Sequence, residues 1–412
     1  MAPPPGKKRQ TIHMPDSTTK SSNHSNATER RDALVGIVGA GQLARMTLQA
    51  AIPLDVSIRL LAAKDNDGAA TIWRDVIVAA PDNVAALTEL AETTEVVTFD
   101  HELVPVPTLA ALEAAGHAMR PSSATMALAQ NKRLQRERHA ALGLHVPAHE
   151  VSTDPNTILT FGDSNGWPVV AKSAQGGYDG RGVWVLRDRA AAEQFIAEIG
   201  ENSGITFVIE SFVPIEREVA ILVARRPNGD QAIYPLVETV QVDGICHEII
   251  APARVSSELA AEAFDIAHAI ADDAGVTGIM AIELFESGGK LLVNEIATRP
   301  HNSGHYSIEG SVTSQFEQHL RAILDWPLGD TQLNAPYVVT VNILGPRDGS
   351  DPVTRRESAL AVPGVHLHFY GKEARPGRKL GHVTALGDDL EETRDRAWRA
   401  ATLLTGEERT VR

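Results

Sequence analysis

The 412-residue chain contains little cysteine and no long hydrophobic run. Its one cysteine, Cys246, excludes an intramolecular disulfide framework and a zinc site built from several cysteines. No stretch of about 18 consecutive apolar residues is present, which argues against a membrane span. We therefore expect no membrane contact and a cytoplasmic location.

Positive charge is also scarce, because 38 Lys and Arg residues face 53 Asp and Glu residues, for a net charge of -15. The imbalance is uneven: the first 32 residues carry +3 and the remainder carries -18. Binding to nucleic acid depends on clustered Lys and Arg side chains that contact phosphates. We therefore expect small molecules, and no nucleic acid, as partners.

Changes in composition along the chain predict four segments. Residues 1–32 are rich in Pro, Ser, Thr and Asn and nearly free of large apolar residues, which predicts a disordered tail. Residues 33–120 alternate strand-like and helix-like stretches, which is typical of a Rossmann-like α/β domain with a parallel sheet. A larger region follows over 121–334. Residues 335–412, with short strands and Pro and Gly turns, predict a small C-terminal β-rich domain.

The segment GAGQLA (39–44) follows an apolar strand-like run and opens a helix-like stretch, and Asp65 lies about twenty residues further on. This pattern matches the G-x-G-x-x-A form of the dinucleotide-binding fingerprint, in which backbone amides at a helix N-terminus hold phosphates. The alternative is a tight strand-to-helix turn that needs glycine only for packing.

A second glycine-rich segment, GGYDGRG (176–182), begins four residues after Lys172, and both lie between apolar strand-like runs. Four glycines in seven positions predict a loop whose amides can close over phosphates. Lys172 precedes the glycines and lies on a strand, so the segment is not a Walker loop. A plain hairpin loop is the alternative.

Two acidic residues, Glu283 and Glu295, interrupt otherwise apolar strands, MAIELF and LLVNEI, which a Ser-Gly-Gly turn connects. Buried carboxylates need a partner. With Asn294 beside them and no His or Cys, they form a hard, oxygen-rich set that suits Mg²⁺ bridging phosphates better than zinc. A salt-bridged pair of strand acids is the alternative.

Two polar segments complete the candidates. The loop RPHNSGHY (299–306) follows the second of these strands and offers donors suited to a phosphate or ribose, with a solvated loop as the alternative. The segment YGKEARPGRKLGHV (370–383) is a basic island in an acidic chain and predicts a phosphate grip, with a solvated turn as the alternative. Cys246, His247 and His268 are interpreted as ordinary strand and helix residues, because no partner group can be placed beside them.

In this order, these motifs resemble the ATP-grasp ligases and, within them, the family of 5-(carboxyamino)imidazole ribonucleotide synthetases. The resemblance covers about 34–390. It implies an α/β fold with an N-terminal Rossmann-like domain, a two-lobed ATP-binding region and a C-terminal β-rich domain. Within 121–334, a glycine-lid lobe spans about 148–209 and a metal-binding lobe about 210–334. The segments that carry the resemblance are GAGQLARM (39–46), VVTFDHE (96–102), KSAQGGYDGRG (172–182), NEIATRPHNSGHY (294–306) and YGKEARPGRKLGHV (370–383).

The resemblance implies ATP and Mg²⁺ as cofactors, with Glu283 and Glu295 as the metal ligands. The residues implied in ATP binding are Lys132, Lys172, Gly177, Tyr178, Asp179, Gly180, Arg181, Gly182, Val183, Glu210, Ser211, Phe212, Val213, Glu218, Gln241, Asn294 and Glu295. Of these, Glu210, Phe212 and Val213 are expected to flank adenine, and Glu218 to bind the ribose hydroxyls.

The resemblance also implies a ribonucleotide site, bicarbonate as co-substrate, and a homodimer. The residues implied in ribonucleotide binding are Gly41, Gln42, Leu43, Glu102, Arg299, His301, Asn302, Ser303, Lys372, Arg375 and Lys379. The catalytic residues implied are Lys172, Tyr178, Arg181 and Arg299. The chain departs from the family pattern at Lys132, where Arg is usual, at Asn131, where an acidic residue is usual, and at Gln241, where His is usual. It departs also at Asp100 and Leu103, which flank Glu102.

The implied reaction is ATP-driven carboxylation of 5-aminoimidazole ribonucleotide by bicarbonate, through carboxyphosphate, in purine biosynthesis. Two alternatives remain open at this point. A formate-dependent glycinamide ribonucleotide transformylase shares the early domains, but HNSGH and GRKLGHV disfavour it. A dinucleotide-dependent oxidoreductase explains GAGQLA and Asp65, but it leaves Lys172, the glycine loop and the two strand glutamates unexplained.

Overall fold

The computed structural model describes residues 34–176, 182–200 and 204–409. The tail predicted over 1–32 and the centre of the glycine loop, 177–181, lie outside the described residues. Within the described ranges the strands form three sheets. No helix in these ranges has the length and apolar character needed to cross a bilayer.

The first sheet is parallel, as the alternating sequence pattern predicts, with strand order β3-β2-β1-β4. Apolar side chains are buried on both of its faces, which explains the nearly continuous apolar strands. The strands are β1 (Leu34–Val38), β2 (Ser57–Ala62), β3 (Val76–Val78) and β4 (Val96–Phe99). The helices are α1 (Gln42–Ala51), α2 (Val84–Thr93) and α3 (Val106–Ala114), with a short 3-10 helix at Ile52–Leu54.

Two helices, α4 (Ser123–Gln130) and α5 (Lys132–Ala141), connect this sheet to the next part of the chain. Asn131 caps the N-terminus of α5, because its Oδ1 accepts hydrogen bonds from the backbone amides of Arg133 and Leu134 at 3.0 and 3.4 Å. The cap fixes Lys132 in the first turn of α5.

The second sheet is antiparallel, with strand order β5-β8-β6-β7, and the rings of Trp184, Phe195 and Phe207 pack together in its core. It places Lys172 on β6, opposite Val183, where the glycine loop begins and ends. Its elements are β5 (His149–Ser152), α6 (Thr157–Asn165), β6 (Val169–Ser173), β7 (Val183–Leu186), α7 (Arg189–Ile199) and β8 (Phe207–Ser211).

The third sheet has nine antiparallel strands in the order β14-β13-β9-β11-β12-β15-β17-β16, and β10 pairs with β9. The C-terminal strands continue this sheet, because β15 pairs with β12. The strands are β9 (Arg217–Arg225), β10 (Gln231–Ile233), β11 (Val237–Val242), β12 (Ile245–Ala251), β13 (Gly278–Ser287), β14 (Lys290–Ala297), β15 (Tyr337–Leu344), β16 (Val365–Phe369) and β17 (Lys379–Gly387).

Helices cover the third sheet and frame its loops. The longest, α8, buries a stripe that includes Ala263, Ile266, Ala267 and Ile270 against the strands. The helices are α8 (Ser257–Ala274), α9 (Ser307–Gly310), α10 (Gln315–Ile323), α11 (Arg356–Leu360) and α12 (Leu390–Thr405), with 3-10 helices at Asn302–Gly304 and Pro352–Arg355.

Candidate active site

The two strand glutamates lie directly opposite each other, since Glu283 of β13 pairs with Glu295 of β14. On the other side of β13, Glu283 pairs with Ala220 of β9, so Glu218 lies two residues along β9 on the same face. Asn294 Nδ2 donates to Glu283 Oε2 at 3.4 Å. The sheet register therefore gathers three carboxylates and one amide on adjacent strands.

These carboxylates do not share one charge state. Burial, followed by the charges of Glu295 and Glu218, raises the pKa of Glu283. Burial and the charge of Glu295 raise the pKa of Glu218 to about 7. Burial would also raise the pKa of Glu295, but the charge and hydrogen bond of Lys132 outweigh it and lower that pKa. The cluster therefore carries carboxylate repulsion that a cation would relieve.

The donor set fits Mg²⁺ bound between the protein and phosphate oxygens. Carboxylate and amide oxygens are hard ligands, and Mg²⁺ at phosphate sites usually takes only one or two protein carboxylates. Among the described residues, no group of three or more His, Cys, Asp or Glu side chains is arranged to hold a metal ion by itself. The hard oxygen donors and their small number both agree with a metal site in which oxygens of a substrate phosphate supply the remaining ligands.

A buried charge network lies next to the glutamates. Lys172 Nζ is 2.8 Å from Glu210 Oε2 and 3.2 Å from Asn294 Oδ1. Arg136 Nε donates to Glu210 Oε1 at 2.6 Å. Burial lowers the pKa of Lys172, whereas for Glu210 the charges of Arg136 and Lys172 outweigh burial and lower the pKa. Lys172 thus joins the second sheet to the third.

Arg136 is a residue that the sequence analysis missed. It lies one helical turn after Lys132 on α5, and an i, i+4 spacing of basic residues on one helix face was the available signal. Lys132 Nζ donates to Glu295 Oε2, so consecutive turns of α5 supply a cation to each sheet. The carboxylate of Glu210, predicted to flank adenine, is buried in this network instead of facing open space.

The structure describes only some of the other residues predicted to bind ATP. Ser211 ends β8, and the side chain of Phe212 beyond it is exposed. Gln241 of β11 pairs with Cys246 across a bulge. Gly182 and Val183 begin the return strand of the glycine loop, whereas Gly177, Tyr178, Asp179, Gly180 and Arg181 lie outside the described residues. Their roles stay predictions.

The turn after β1 is built around a carboxylate. Asp100 Oδ2 accepts a hydrogen bond from the amide of Gly41 at 2.7 Å. Gly39 has a φ of +108°, and a Cβ there would lie 1.6 Å from Asp100 Oδ1, so only glycine fits. Burial raises the pKa of Asp100. Because a carboxylate already binds the Gly41 amide, this turn does not resemble a pyrophosphate cradle, which disfavours the oxidoreductase alternative.

The loop after β14 connects this turn to the glutamates. Arg299 Nε donates to Glu102 Oε2 at 2.7 Å. His301 Nδ1 lies 2.9 Å from Ser303 Oγ, and His301 Nε2 lies 3.5 Å from Glu283 Oε1. Arg299, His301, Ser303 and Glu102, all predicted from the sequence, are therefore brought together beside the proposed metal ligands.

The basic island divides into two parts. Lys372 Nζ donates to Gln42 Oε1 and lies 5.6 Å from the centroid of the Tyr370 ring, which joins the C-terminal part of the chain to the N-terminal turn. Arg375 lies at the surface, where its Nη2 contacts Glu373 at 2.6 Å. The structure therefore brings Lys372 to the predicted ribonucleotide residues and places the Arg375 guanidinium in an exposed ion pair.

A cluster of aromatic rings packs behind the loop and was not predicted. The rings of His368 and His382 stack at 4.6 Å, and His305 lies 5.2 Å from His382. The hydroxyl of Tyr370 is 2.8 Å from His382 Nδ1. Burial lowers the pKa values of His305 and His382 well below the ordinary histidine value, so both are neutral. Histidines at alternate positions of β16 were the available sequence signal.

Cys246 is a buried strand residue, as interpreted from the sequence. Burial raises the pKa of its thiol to about 12, so it is not a thiolate at neutral pH. The site therefore offers charge neutralisation and positioning and does not use a cysteine nucleophile.

Three family models match consecutive parts of the chain. A ribonucleotide synthetase preATP-grasp domain matches residues 33–130, an ATP-grasp domain matches 137–316, and a phosphoribosylaminoimidazole carboxylase C-terminal domain matches 338–396. An N5-carboxyaminoimidazole ribonucleotide synthase from Mycobacterium tuberculosis is 44% identical over 379 residues, which are 90% of this chain and 88% of that protein. The enzyme of the same name from Synechococcus elongatus is 40% identical over 375 residues, 90% and 93% of the two chains.

Solved structures of enzymes with the same or a closely similar name resemble this chain over most of its length. The ADP complex of an N5-carboxyaminoimidazole ribonucleotide synthetase superimposes with a TM-score of 0.83 at 35% identity, over 90% of this chain and 97% of that one. An Aspergillus clavatus N5-carboxyaminoimidazole synthase in complex with ADP and the aminoimidazole ribonucleotide gives a TM-score of 0.82 at 29% identity, over 90% and 98%. From its sequence, its sheets and the residues those sheets bring together, the chain belongs to the N5-carboxyaminoimidazole ribonucleotide synthase family of ATP-grasp enzymes.

Proposed function

We propose that this chain catalyses the ATP-dependent carboxylation of 5-aminoimidazole ribonucleotide by bicarbonate, with release of ADP and phosphate, in purine biosynthesis. The observation that carries the proposal is the contact between His301 Nε2 and Glu283 Oε1 at 3.5 Å. It joins the carboxylates and lysines suited to phosphoryl transfer to the loop suited to a ribonucleotide. Both halves of the reaction can therefore take place in one site.

Bicarbonate must be activated first, because its own leaving group would be hydroxide. Transfer of the γ-phosphoryl group of ATP to a bicarbonate oxygen gives carboxyphosphate, whose leaving group is phosphate. Phosphoryl transfer depends mainly on positioning and charge neutralisation. We assign this role to Lys132 and Lys172, with Asn294 and the 177–183 loop near the phosphates. Glu283 and Glu295 would hold Mg²⁺, which supplies charge neutralisation at phosphate oxygens when bound.

The second step forms the carbon–nitrogen bond. The exocyclic amine of the ribonucleotide attacks the carbon of carboxyphosphate, the bond from that carbon to the bridging oxygen breaks, and the oxygen leaves with phosphate. Arg299, His301, Asn302 and Ser303 would bind and orient the ribonucleotide beside this carbon, and Tyr178 and Arg181 would contact it as well. Gly41, Gln42, Leu43 and Glu102 would contact it from the N-terminal domain, and Lys372, Arg375 and Lys379 would bind its phosphate.

The adenosine part of ATP would lie between the second and third sheets. Glu210, Phe212 and Val213 would flank adenine, with Ser211 in the same segment, and Glu218 would bind the ribose hydroxyls. Gln241 stands where the family usually has histidine, and an amide can replace one imidazole hydrogen bond. A homodimer, which the family resemblance implies, and a cytoplasmic location, which the single cysteine and the lack of a long apolar run favour, complete the proposal.

The test measures ADP and phosphate release with and without the aminoimidazole ribonucleotide and bicarbonate. Release that requires both substrates, with ¹⁸O passing from labelled bicarbonate into phosphate, supports carboxylation through carboxyphosphate. Product formation with unlabelled phosphate, measured before exchange with carbon dioxide removes the label, contradicts that route. Release driven by glycinamide ribonucleotide and formate would instead favour the transformylase.

A further inference from the structure

The side chain of Gln315, the first residue of α10, is fully buried against the loop that carries His301. Its Oε1 accepts a hydrogen bond from the amide of His301 at 2.9 Å, and its Nε2 donates to the carbonyl of the same residue at 2.8 Å. Nε2 also lies 3.0 Å from Nδ1 of His305. One amide group thus holds both backbone polar groups of His301 and the ring of His305.

These contacts determine the orientation of the amide. Since Oε1 must accept from a backbone N–H and Nε2 must donate to a carbonyl, the oxygen and nitrogen of Gln315 cannot be exchanged. Nε2 therefore also donates to His305 Nδ1, and neutral His305 carries its proton on Nε2. The tautomer of His305 follows from hydrogen bonds made by Gln315.

Further contacts keep the loop close to this amide. A Cβ on Gly304 would lie 2.5 Å from Gln315 Oε1 and 2.4 Å from a methyl carbon of Leu222, so the loop approaches at a distance that only glycine allows. The hydroxyl of Ser307 donates to the carbonyl of Gly304 at 2.6 Å and accepts from the amide of Gln315 at 2.9 Å. Gln315 therefore holds the loop both through its side-chain amide and through its backbone amide.

We propose that Gln315 is a positioning residue for the ribonucleotide, which acts by holding the backbone of His301 so that its ring lies between Ser303 and Glu283. This role rests on the proposed function, because His301 and Ser303 are ribonucleotide residues only if that function is right. Gln315 itself contacts no substrate, since its amide is fully engaged with the loop. Its loss would displace the side chains that contact substrate.

The same helix supplies a matched control. Gln318, one turn further along α10, is also fully buried. Its Nε2 donates to the carbonyl of Gly329 at 2.8 Å, and its Oε1 accepts from the amide of Gly329 at 2.7 Å. Gln318 thus makes the same pair of backbone hydrogen bonds to a loop that contains no predicted site residue. Loss of a buried amide can therefore be separated from loss of substrate positioning.

The experiment compares Gln315→Glu and Gln315→Met with Gln318→Glu and Gln318→Met in the full chain. We expect both pairs to lower the Tm. Only the Gln315 variants should lose about 100-fold in kcat/KM for the aminoimidazole ribonucleotide, because small displacements of positioned groups have effects of this size. The KM for ATP should stay within about threefold in all four, because Gln315 lies on the ribonucleotide side of Glu283.

Two results would overturn the role of Gln315. One is a kcat/KM for the ribonucleotide in the Gln315 variants that matches the Gln318 variants of similar Tm, and the other is an equal rise of both KM values. If the variants fail to fold, the ¹⁵N-histidine spectrum of the unmodified protein decides, with His305 assigned by the signal lost in His305→Gln. A proton on Nε2 supports the geometry, and a proton on Nδ1 contradicts it. An unmodified chain that releases no ADP with ribonucleotide and bicarbonate contradicts the proposed function itself.

Discussion

The two ends of the candidate site are built by different means. At the phosphate end, which comprises Lys132, Lys172, Glu210, Glu283 and Glu295, most residues lie on paired strands, and ionised groups contact each other directly. At the ribonucleotide end, the residues come from three separate loops and from the turn that begins α1. These residues are Gly41, Gln42, Glu102, Arg299, His301 and Lys372.

This difference shows how each end keeps its shape. Buried charges at the phosphate end must be paired, so each cation limits where its carboxylate can lie. Loops are not positioned by strand pairing. At the ribonucleotide end, close contacts of the backbone position them instead. Gly39 lies against Asp100, and Gly68 lies against the carbonyl of Tyr370. We therefore expect charge changes to affect the phosphate end and steric changes to affect the ribonucleotide end.

Glu295→Gln should have the largest effect. It removes one carboxylate of the proposed Mg²⁺ pair and the partner of Lys132, and we expect kcat to fall by about 1,000-fold or more, the upper range for loss of a charge-stabilising group. Steady-state kinetics over a Mg²⁺ series measures the change. Glu286→Gln on the same hairpin is the control, because that carboxylate pairs with Arg217 instead. Near-normal activity of Glu295→Gln at moderate Mg²⁺ would contradict the metal assignment.

Lys372→Ala should raise the KM for the ribonucleotide by about 10- to 100-fold, because a charge-assisted hydrogen bond to a phosphate contributes about 1.5–3 kcal/mol. Lys379→Ala should act in the same direction. Arg375→Ala should have a smaller effect, because Arg375 must leave an exposed ion pair to reach the substrate. The KM for ATP should not change, and a parallel rise in it would show that these residues are not specific to the ribonucleotide end.

Gly68→Ala should raise the KM for the ribonucleotide by about tenfold through a steric route. A Cβ at this position would lie 2.2 Å from the carbonyl oxygen of Tyr370, so the segment that carries Lys372 must shift. Arg45 Nη1 donates to the carbonyl of Gly68 at 2.7 Å, and this hydrogen bond limits how far Gly68 itself can move away. Kinetics with varied ribonucleotide and varied ATP separates the two ends, and equal changes in both KM values would contradict the comparison.

Mild acidification should change catalysis least and should instead lower the free energy of unfolding through the buried histidines. His319 of α10 is buried, with its Nε2 2.8 Å from Thr98 Oγ1, and burial lowers its pKa to about 3. Because the pKa values of His305 and His382 are also lowered, the stabilisation that these three histidines contribute is present above about pH 6.5 and is lost as the pH falls below it. The pKa of Glu210 is lowered as well, so its stabilisation persists until the pH falls below its unfolded value of about 4.5. Between pH 6.5 and 5 the buried histidines, which include His139 of α5 with a pKa lowered to about 4, should therefore lose their stabilisation before Glu210 does.

Urea unfolding at several pH values measures this loss of stability. Each histidine that is neutral in the fold and protonated in the unfolded chain contributes a slope of up to about 1.4 kcal/mol per pH unit. His382→Phe should reduce the slope between pH 6.5 and 5 because one titrating group is removed. An unchanged slope would show that His382 does not contribute.

The phosphate end was more predictable from sequence than the ribonucleotide end. The opposition of Glu283 and Glu295 follows from two short apolar strands joined by a tight turn, which is local information. The contact of Arg136 with Glu210 depends on how α5 packs against β8, 74 residues away, and no local pattern encodes that. The same holds for Asp100 beneath Gly41 and for Gln315 beneath His301.

For the fold, too, local sequence patterns predict the parts built from neighbouring segments and not the contacts between distant ones. The parallel N-terminal sheet was predictable because its strands and helices alternate with short connections. The pairing of β15 with β12 was not, because pairing between antiparallel strands about 90 residues apart depends on tertiary packing. A separate C-terminal segment is therefore a natural interpretation of the sequence, although its strands continue the third sheet.

The continuous third sheet has a consequence for the newly made chain. The phosphate end is complete once Glu295 has been synthesised, but Lys372 follows roughly 80 residues later, a delay of about 4–16 s at about 5–20 residues per second. The strand β15 follows sooner, because it ends at Leu344, about 50 residues after Glu295. For about 2.5–10 s at that rate, β12, with its buried Ile249 and Ile250, therefore has no β15 beside it and presents an unpaired strand edge. Translation that stalls in this interval would leave a chain prone to edge-to-edge aggregation.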